Sequence, residues 1–82
     1  MTDINLKDVL RALSDLRDDG TVPRNVKLHL DAAETQLKSQ AEVSIRVNQA
    51  LNELEEIADD TNLQPWTRTQ LLNIVSMLEK VH

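Results

Sequence analysis

Two segments, Asp18-Asp19-Gly20-Thr21-Val22-Pro23 and Asp59-Asp60-Thr61-Asn62-Leu63-Gln64-Pro65, interrupt the chain at points 41 residues apart. Each places an acidic pair, a capping residue and a proline between two stretches whose apolar residues recur at helical spacing. The same offset aligns residues 1–41 with residues 42–82 without a gap. The two segments therefore predict two similar helix pairs within one domain that spans residues 1–82.

The alignment contains seven identities among 41 pairs. Two unrelated amphipathic helix pairs of this length would also share several leucines, so duplication and coincidence both remain open. The matched acidic pairs and the similar Lys27 and Arg68 favour duplication. Repeats of about this length usually build stacked helical hairpins. The identical pairs are Ile4/Ile45, Leu10/Leu51, Leu13/Leu54, Asp18/Asp59, Asp19/Asp60, Leu30/Leu71 and Leu37/Leu78.

Local signals predict where the helices begin and end. Helix 1 is expected from about Asp3 to Asp18, because Leu6, Val9, Leu10, Leu13 and Leu16 would share one face of it. Thr21 is the predicted cap of helix 2, with Pro23 in the first turn, where a missing N–H costs nothing. Asn62 and Pro65 are predicted to play the same two parts for helix 4.

The connection between helices 2 and 3 has the weakest signal. Ser39 and Glu42 have the spacing of a capping box, which predicts a break near Ser39 and the start of helix 3. However, no Gly or Pro lies between Arg24 and Asp60. One continuous helix, which would favour a domain-swapped dimer, therefore stays open as the alternative.

Composition agrees with an all-helical fold. Apolar residues make up 40% of the 82 residues, and Trp66 is the only aromatic one, whereas sheets concentrate β-branched and aromatic residues. We predict an all-α four-helix bundle made of two helix–turn–helix units that stack like a pair of HEAT repeats.

The same composition excludes several classes of protein. There is no cysteine, which removes disulfides and thiolate chemistry. No apolar run approaches the roughly 20 residues that span a bilayer, and no signal-peptide core is visible, so we expect a soluble cytoplasmic protein. The net charge is −5, and residues 41–60 carry six acidic groups against one basic group. This charge disfavours binding to nucleic acid or to anionic membranes.

No catalytic or metal-binding pattern stands out. Neither of the two histidines, His29 and His82, has another histidine near it in the sequence. The only acidic residue at a spacing typical of metal ligands is Glu79, three residues before His82. The acidic pairs lack the glycine and alternating oxygen ligands of a calcium loop. The sequence also lacks a nucleophile with its base and a glycine-rich phosphate loop. We therefore predict a protein that is not an enzyme and that uses no cofactor or metal.

Helix 4 carries more apolar residues than a small bundle covers. At 100° per residue, Trp66 and Met77 share one azimuth, Val81 adjoins them, and Leu72 lies on the other side of the inward stripe. Tryptophan and methionine are also favoured in interface cores. We expect these four residues to contribute to a contact surface, with packing inside the subunit as the alternative.

Three basic residues form a second candidate site. Arg24 and Arg68 lack an acidic partner one turn away in their own helices, and Lys27 lies near the start of helix 2, whose free N–H groups attract anions. An anion contact at Arg24, Lys27 and Arg68 would support the alternative function, a nucleic-acid-associated protein.

Several segments carry a family resemblance. Thr21-Val22-Pro23-Arg24-Asn25-Val26-Lys27, Leu54-Glu55-Glu56-Ile57, Arg68-Thr69 and Val75-Ser76-Met77-Leu78-Glu79 resemble uncharacterised protein family 0147, a group of small archaeal proteins. The resemblance covers about residues 20–81 and departs from the family at Thr61, Pro65 and Leu72. It implies an all-helical, archaeal, cytoplasmic protein with no assigned activity, and hence no catalytic residues to transfer.

The preferred function is a protein-interaction or structural role. Helical arrays gain stability from stacked neighbours, and about three repeats are usually needed. Two repeats alone therefore predict a homodimer, together with a protein partner whose identity the sequence does not reveal.

Overall fold

The computed structural model describes residues 5–81 and contains four α-helices. No strand occurs within that range, which confirms the all-α prediction. The helices are α1 (Leu6–Arg17), α2 (Arg24–Leu37), α3 (Val43–Ala58) and α4 (Pro65–Glu79). Residues 38–42 are not helical, so α2 and α3 are separate and the continuous-helix alternative is wrong. None of the four is both long and apolar enough to cross a membrane.

The two interrupting segments fold into matching turns, but the predicted caps are wrong. Asp19 Oδ1 accepts hydrogen bonds from Thr21 N at 2.9 Å and Thr21 Oγ1 at 2.7 Å. Asp60 Oδ1 accepts one from Asn62 N at 2.8 Å. The second aspartate of each pair therefore shapes the turn, and Thr21 and Asn62 serve as its donors.

The proline positions are partly as predicted. Pro65 is the first residue of α4, as expected, and Gln64 precedes it as the N-cap residue. Pro23 is not inside α2. It is the extended N-cap residue, with φ −60° and ψ 152°, and α2 begins at Arg24. Because proline fixes φ near −65° in either place, the sequence signal locates the boundary only to within one residue.

Two other predicted helix starts are wrong. Asn5 is extended and its side chain accepts a hydrogen bond from Asp8 N at 3.1 Å, so α1 begins at Leu6. The predicted start, Asp3, lies outside the described residues. Before α3, the N-cap Glu42 makes no side-chain cap, and the hydroxyl of Ser39 is buried without a hydrogen-bond partner in the described part of the chain. The capping box is therefore not formed.

The core is aliphatic and draws on all four helices. Leu13, Leu30, Leu54 and Leu71 are fully buried, which is the outcome that the apolar stripes predict. Two loop residues, Val22 and Leu63, are also buried and close the same end of each helix pair. The remaining core members are Val9, Leu16, Val26, Ala33, Leu37, Val47, Ala50, Ile57, Ile74 and Leu78.

The helices are arranged as a ring. α1 lies against α2, α2 against α3, α3 against α4, and α4 against α1, while no Cα atoms of opposite helices come within 8 Å of each other in the described residues. Short connections make successive helices antiparallel. A HEAT pair would place α1 against α3 and α2 against α4 as stacked layers, so the HEAT-like detail is not confirmed.

Positions 41 residues apart occupy equivalent places in the ring. The helices α2 and α4 begin at Arg24 and Pro65, and α1 and α3 end at Arg17 and Ala58, which is the same offset. The contact between α2 and α3 is therefore the counterpart of the contact between α4 and α1. This equivalence allows the two contacts to be compared residue by residue.

Candidate functional site

A cavity of about 240 Å³ lies in the groove between α1 and α4, which we call the α1–α4 groove. Trp66 lies at this groove with 55% of its surface exposed. Burial of an aromatic side chain that exposes this much surface would be favourable, and tryptophan is enriched at interfaces for this reason. The other lining residues are Ala12, Asp15, Leu16, Gln70 and Ile74.

The equivalent α2–α3 groove contains polar side chains that reach across it. Its residues His29, Glu53 and Glu56 correspond to Gln70, Ala12 and Asp15. His29 Nδ1 lies 2.8 Å from Glu53 Oε2 and 3.6 Å from Glu56 Oε2. These contacts bridge α2 and α3. At the equivalent place between α1 and α4 there is an open cavity instead.

Asn25 and Trp66 continue the same contrast. Asn25 Nδ2 donates a hydrogen bond to Asp60 Oδ2 at 3.0 Å, which ties the start of α2 to the turn after α3. Trp66 occupies the equivalent position on α4, and within residues 5–81 its indole N–H forms no such link to the turn after α1. The two grooves thus differ at all six positions that line the cavity, and only the α1–α4 groove carries a tryptophan.

The contact surface predicted on α4 consists of four residues, and in the structure they have different surroundings. The four are Trp66, Leu72, Met77 and Val81. Leu72 is 52% exposed and lines a cavity with Ala58, Asp59 and Arg68 on the α3 side. Val81 lines a third cavity, with residues of α3 and the end of α4. Met77 is half-buried and packs against the core. Trp66 is the one of the four at the α1–α4 groove.

The predicted anion-binding residues are differently placed. Arg24 is exposed at the first position of α2. Arg68 is half-buried, and its Nη2 donates a hydrogen bond to the carbonyl oxygen of Asp60 at 2.9 Å. The positive charges of Lys27 and Arg68 also face Asp19 and Asp60 and help to lower the pKa values of those carboxyls. Two of the three cations are therefore already near a carboxylate.

The turn aspartates share one electrostatic environment. The pKa of Asp19 is lowered first by the hydrogen bonds from Thr21 and then by the charge of Lys27. The pKa of Asp60 is lowered first by the Asn62 N–H, then by the Asn25 amide and the charge of Arg68. Because donors and cations favour the carboxylate form, both turns are strongest when these groups are ionised.

Sequence reasoning missed two cross-helix contacts. Arg17 Nη1 lies 2.9 Å from Oε1 of Glu34, a carboxylate that is almost fully buried between α1 and α2. Within residues 5–81 that oxygen makes no hydrogen bond, so the contact is an ion pair with imperfect geometry. The only signal in the sequence was that Glu34 occupies an inward position of α2.

The second missed contact is the cluster of His29, Glu53 and Glu56. One ligand atom from each lies within 4.8 Å of the other two. The partners of His29 come from the next helix, so spacing along the sequence near His29 does not reveal them. The available signal was the pair of glutamates one turn apart on α3, which places both carboxylates on one face. His82, the other histidine considered, lies outside the described residues.

Comparison with known proteins identifies the family. The sequence profile of the Uncharacterised protein family (UPF0147) matches residues 2–81. The chain belongs to this family. A UPF0147 protein of Methanocaldococcus jannaschii is 42% identical over 77 residues, which is 93% of this chain and 83% of that protein. One of Archaeoglobus fulgidus is 37% identical over 76 residues, covering 93% and 87%. The resemblance inferred from the sequence is confirmed, and it extends almost from end to end.

The fold also has an experimental counterpart. The crystal structure of MMP1188, a protein of unknown function, superposes with a TM-score of 0.90 and is 31% identical. The match covers 100% of this chain and 99% of that one. The ring of four helices is therefore similar to a known structure, and UPF0147 carries no assigned activity.

Proposed function

We propose that this UPF0147 protein is a non-catalytic protein-interaction module that self-associates through the α1–α4 groove. The observation that carries the proposal is Trp66, which is more than half exposed beside an open cavity with an apolar floor. Exposed tryptophan beside a pocket is typical of the residues that dominate binding energy at interfaces.

The groove has both halves of a self-complementary contact. Trp66 projects at its edge, and Ala12, Leu16 and Ile74 supply apolar surface beside it. A twofold axis would let each copy place its indole against the groove of the other, which is the geometry of a closed dimer. The small size of the domain supports the same conclusion, since a domain of this length buries a smaller share of its surface than a larger one does.

The repeat supplies the variants that test this proposal. Trp66→Asn installs the residue that the other helix pair uses at position 25. The mass in solution should be measured by sedimentation equilibrium from micromolar to millimolar concentration. We expect the wild-type chain to approach twice its 9.3 kDa mass and Trp66→Asn to remain monomeric, because burial of the indole is lost.

Leu28 provides a matched control. It is 63% exposed on α2, and the equivalent residue on α4 is Thr69. Leu28→Thr removes a similar exposed apolar group outside the groove and should leave the mass unchanged. A wild-type chain that is monomeric at millimolar concentration contradicts self-association. A dimer that persists in Trp66→Asn contradicts the choice of groove.

The nucleic-acid alternative has less support. Lys27 and Arg68 face carboxylates, and five acidic residues lie between Glu53 and Asp60. Titration with RNA and DNA at low salt tests this directly, because phosphate contacts should produce a salt-dependent affinity that Arg24→Ala weakens.

We propose that the protein is located in the cytoplasm. Proteins of that compartment rarely use disulfides, in agreement with a chain that has no cysteine.

A further inference from the structure

The α2–α3 groove holds a set of side chains that the proposed interaction does not use. His29, Glu53 and Glu56 come from two helices, and their nearest ligand atoms all lie within 4.8 Å of one another. His29 and Glu53 are about one-third exposed and Glu56 is two-thirds exposed, so an ion can reach all three from solvent.

We propose that His29, Glu53 and Glu56 bind a divalent transition-metal ion of the zinc type. Imidazole nitrogen and carboxylate oxygen together suit zinc and its neighbours in the first transition row, whereas magnesium and calcium prefer oxygen alone. Three protein ligands leave a fourth tetrahedral position for water, which is the arrangement of an open zinc site.

Two of the three ligand distances require only small adjustments, and the third pair, Glu53 and Glu56, lies within 4.8 Å. Ligand atoms about 2.0–2.2 Å from a tetrahedral ion lie roughly 3.3 Å apart. His29 Nδ1 and Glu56 Oε2 are already 3.6 Å apart, and Nδ1 and Glu53 Oε2, now 2.8 Å apart, would separate slightly. Rotation of the exposed Glu56 side chain completes the set. The ion binds Nδ1 in the tautomer that carries its proton on Nε2.

Local charge favours a cation at this position. Glu53 and Glu56 lie one turn apart on the same helix, where two negative charges repel each other. Within residues 5–81, His29 is the only basic side chain within ion-pair distance of either carboxylate. A divalent ion would neutralise both charges and link α2 to α3.

The equivalent groove provides an internal reference. The corresponding residues Ala12, Asp15 and Gln70 offer a single good ligand. The ligand set is therefore a property of one helix pair, and the fold does not require it.

The experiment is calorimetric titration of the full, tag-free chain with zinc chloride near pH 7, and separately with magnesium chloride. We expect one zinc ion per chain and no comparable binding of magnesium. His29→Gln, which copies the residue at position 70, and Glu53→Gln should each lower zinc affinity at least about 10-fold, since even outer-shell partners are worth about 10–100-fold. Circular dichroism confirms that both variants fold.

Glu55→Gln is the matched control, because it removes the same charge from an exposed position on the same helix. It should leave zinc affinity within twofold of wild type. An equal loss in Glu55→Gln and Glu53→Gln overturns the site, since binding would then be a response to overall charge. The proposal is also overturned by unchanged affinity in His29→Gln, by magnesium binding as tightly as zinc, or by no zinc binding at millimolar concentration.

Discussion

Thr67 on α4 and Val26 on α2 occupy equivalent positions, both fully buried, and only Thr67 carries a hydroxyl. Its Oγ1 has no hydrogen-bond partner within residues 5–81. A buried hydroxyl without a partner costs about 1–3 kcal/mol of desolvation. The second helix pair therefore contains a polar defect where the first has an apolar side chain of the same shape.

Thr67→Val should raise the free energy of unfolding by about 1 kcal/mol, because it removes that desolvation cost without changing the volume of the side chain. Urea unfolding followed by circular dichroism measures the change. Thr69→Val is the control, since Thr69 is exposed and its hydroxyl donates to the Pro65 carbonyl at 3.0 Å. This control should not raise the free energy of unfolding. A loss of stability in Thr67→Val would show that the hydroxyl has a partner after all.

The Arg17–Glu34 pair should behave differently when one partner is removed than when both are. Arg17→Ala should lower the free energy of unfolding by about 2–3 kcal/mol, because within residues 5–81 it leaves the buried carboxylate with Lys38 Nζ, 3.8 Å away, as its one remaining cation. This value lies at or below the range for fully buried pairs because the Arg17 side chain is 32% exposed and partly screened.

The double variant Arg17→Ala/Glu34→Val copies Ala58 and Val75, the equivalent residues of the second helix pair. It should recover most of the loss, since an apolar pair often replaces a buried ion pair at little cost. Urea unfolding of the single and double variants compares them directly. A double variant no more stable than Arg17→Ala would contradict the interpretation.

Stability should fall in acid partly because of Asp60. Its pKa is lowered in the folded state by the Asn62 N–H and the Asn25 amide, while the unfolded chain keeps an ordinary value of about 3.9. The stabilisation is therefore complete above that pH and is lost as pH falls through the lower folded-state pKa.

Asp60→Asn retains an acceptor for the turn but no longer titrates. It should show a smaller decrease in unfolding free energy between about pH 5 and about pH 2.5 than the wild-type chain does. Asp59→Asn removes the neighbouring charge without touching either hydrogen bond of Asp60, so it should lose more stability in acid than Asp60→Asn does. Parallel profiles for Asp60→Asn and wild type would show that the turn does not depend on the charge.

Gly20 should tolerate a side chain. Its φ is not positive, and a Cβ built on it meets no atom within 4 Å. Gly20→Ala should raise the melting temperature, with a gain in stability of about 0.4–1 kcal/mol from the reduced freedom of the unfolded chain. The equivalent residue, Thr61, already carries a Cβ. A lower melting temperature would mean that this turn needs the flexibility of glycine.

The helices could be predicted because each one buries a stripe that is visible in the sequence. Leu13, Leu30, Leu54 and Leu71 belong to these stripes, one on each helix, and all reach the core. The capping residues could not be predicted in the same way, because aspartate, threonine and asparagine all suit a turn. The geometry selects Asp19 and Asp60 as acceptors, and the sequence signal is compatible with either assignment.

The functional contacts depend on which helices are neighbours. The His29–Glu53 contact exists because α2 lies against α3, and the exposure of Trp66 depends on how α4 meets α1. Sequence spacing describes one helix at a time, so it identified Trp66 as an unusual residue but missed the partners of His29.

The ring also determines an order of assembly. Successive hairpins can form from contacts that are local in sequence. In contrast, α1 can meet α4 only after α4 has been made, and closing so long a loop carries an entropic cost. The contact between α1 and α4, which contains Trp66, should therefore form last during folding. It should also separate first when denaturant or heat destabilises the protein. Leu16 and Ile74 line the α1–α4 groove. A second copy docked in this groove would therefore hold the first and the last of the four helices together.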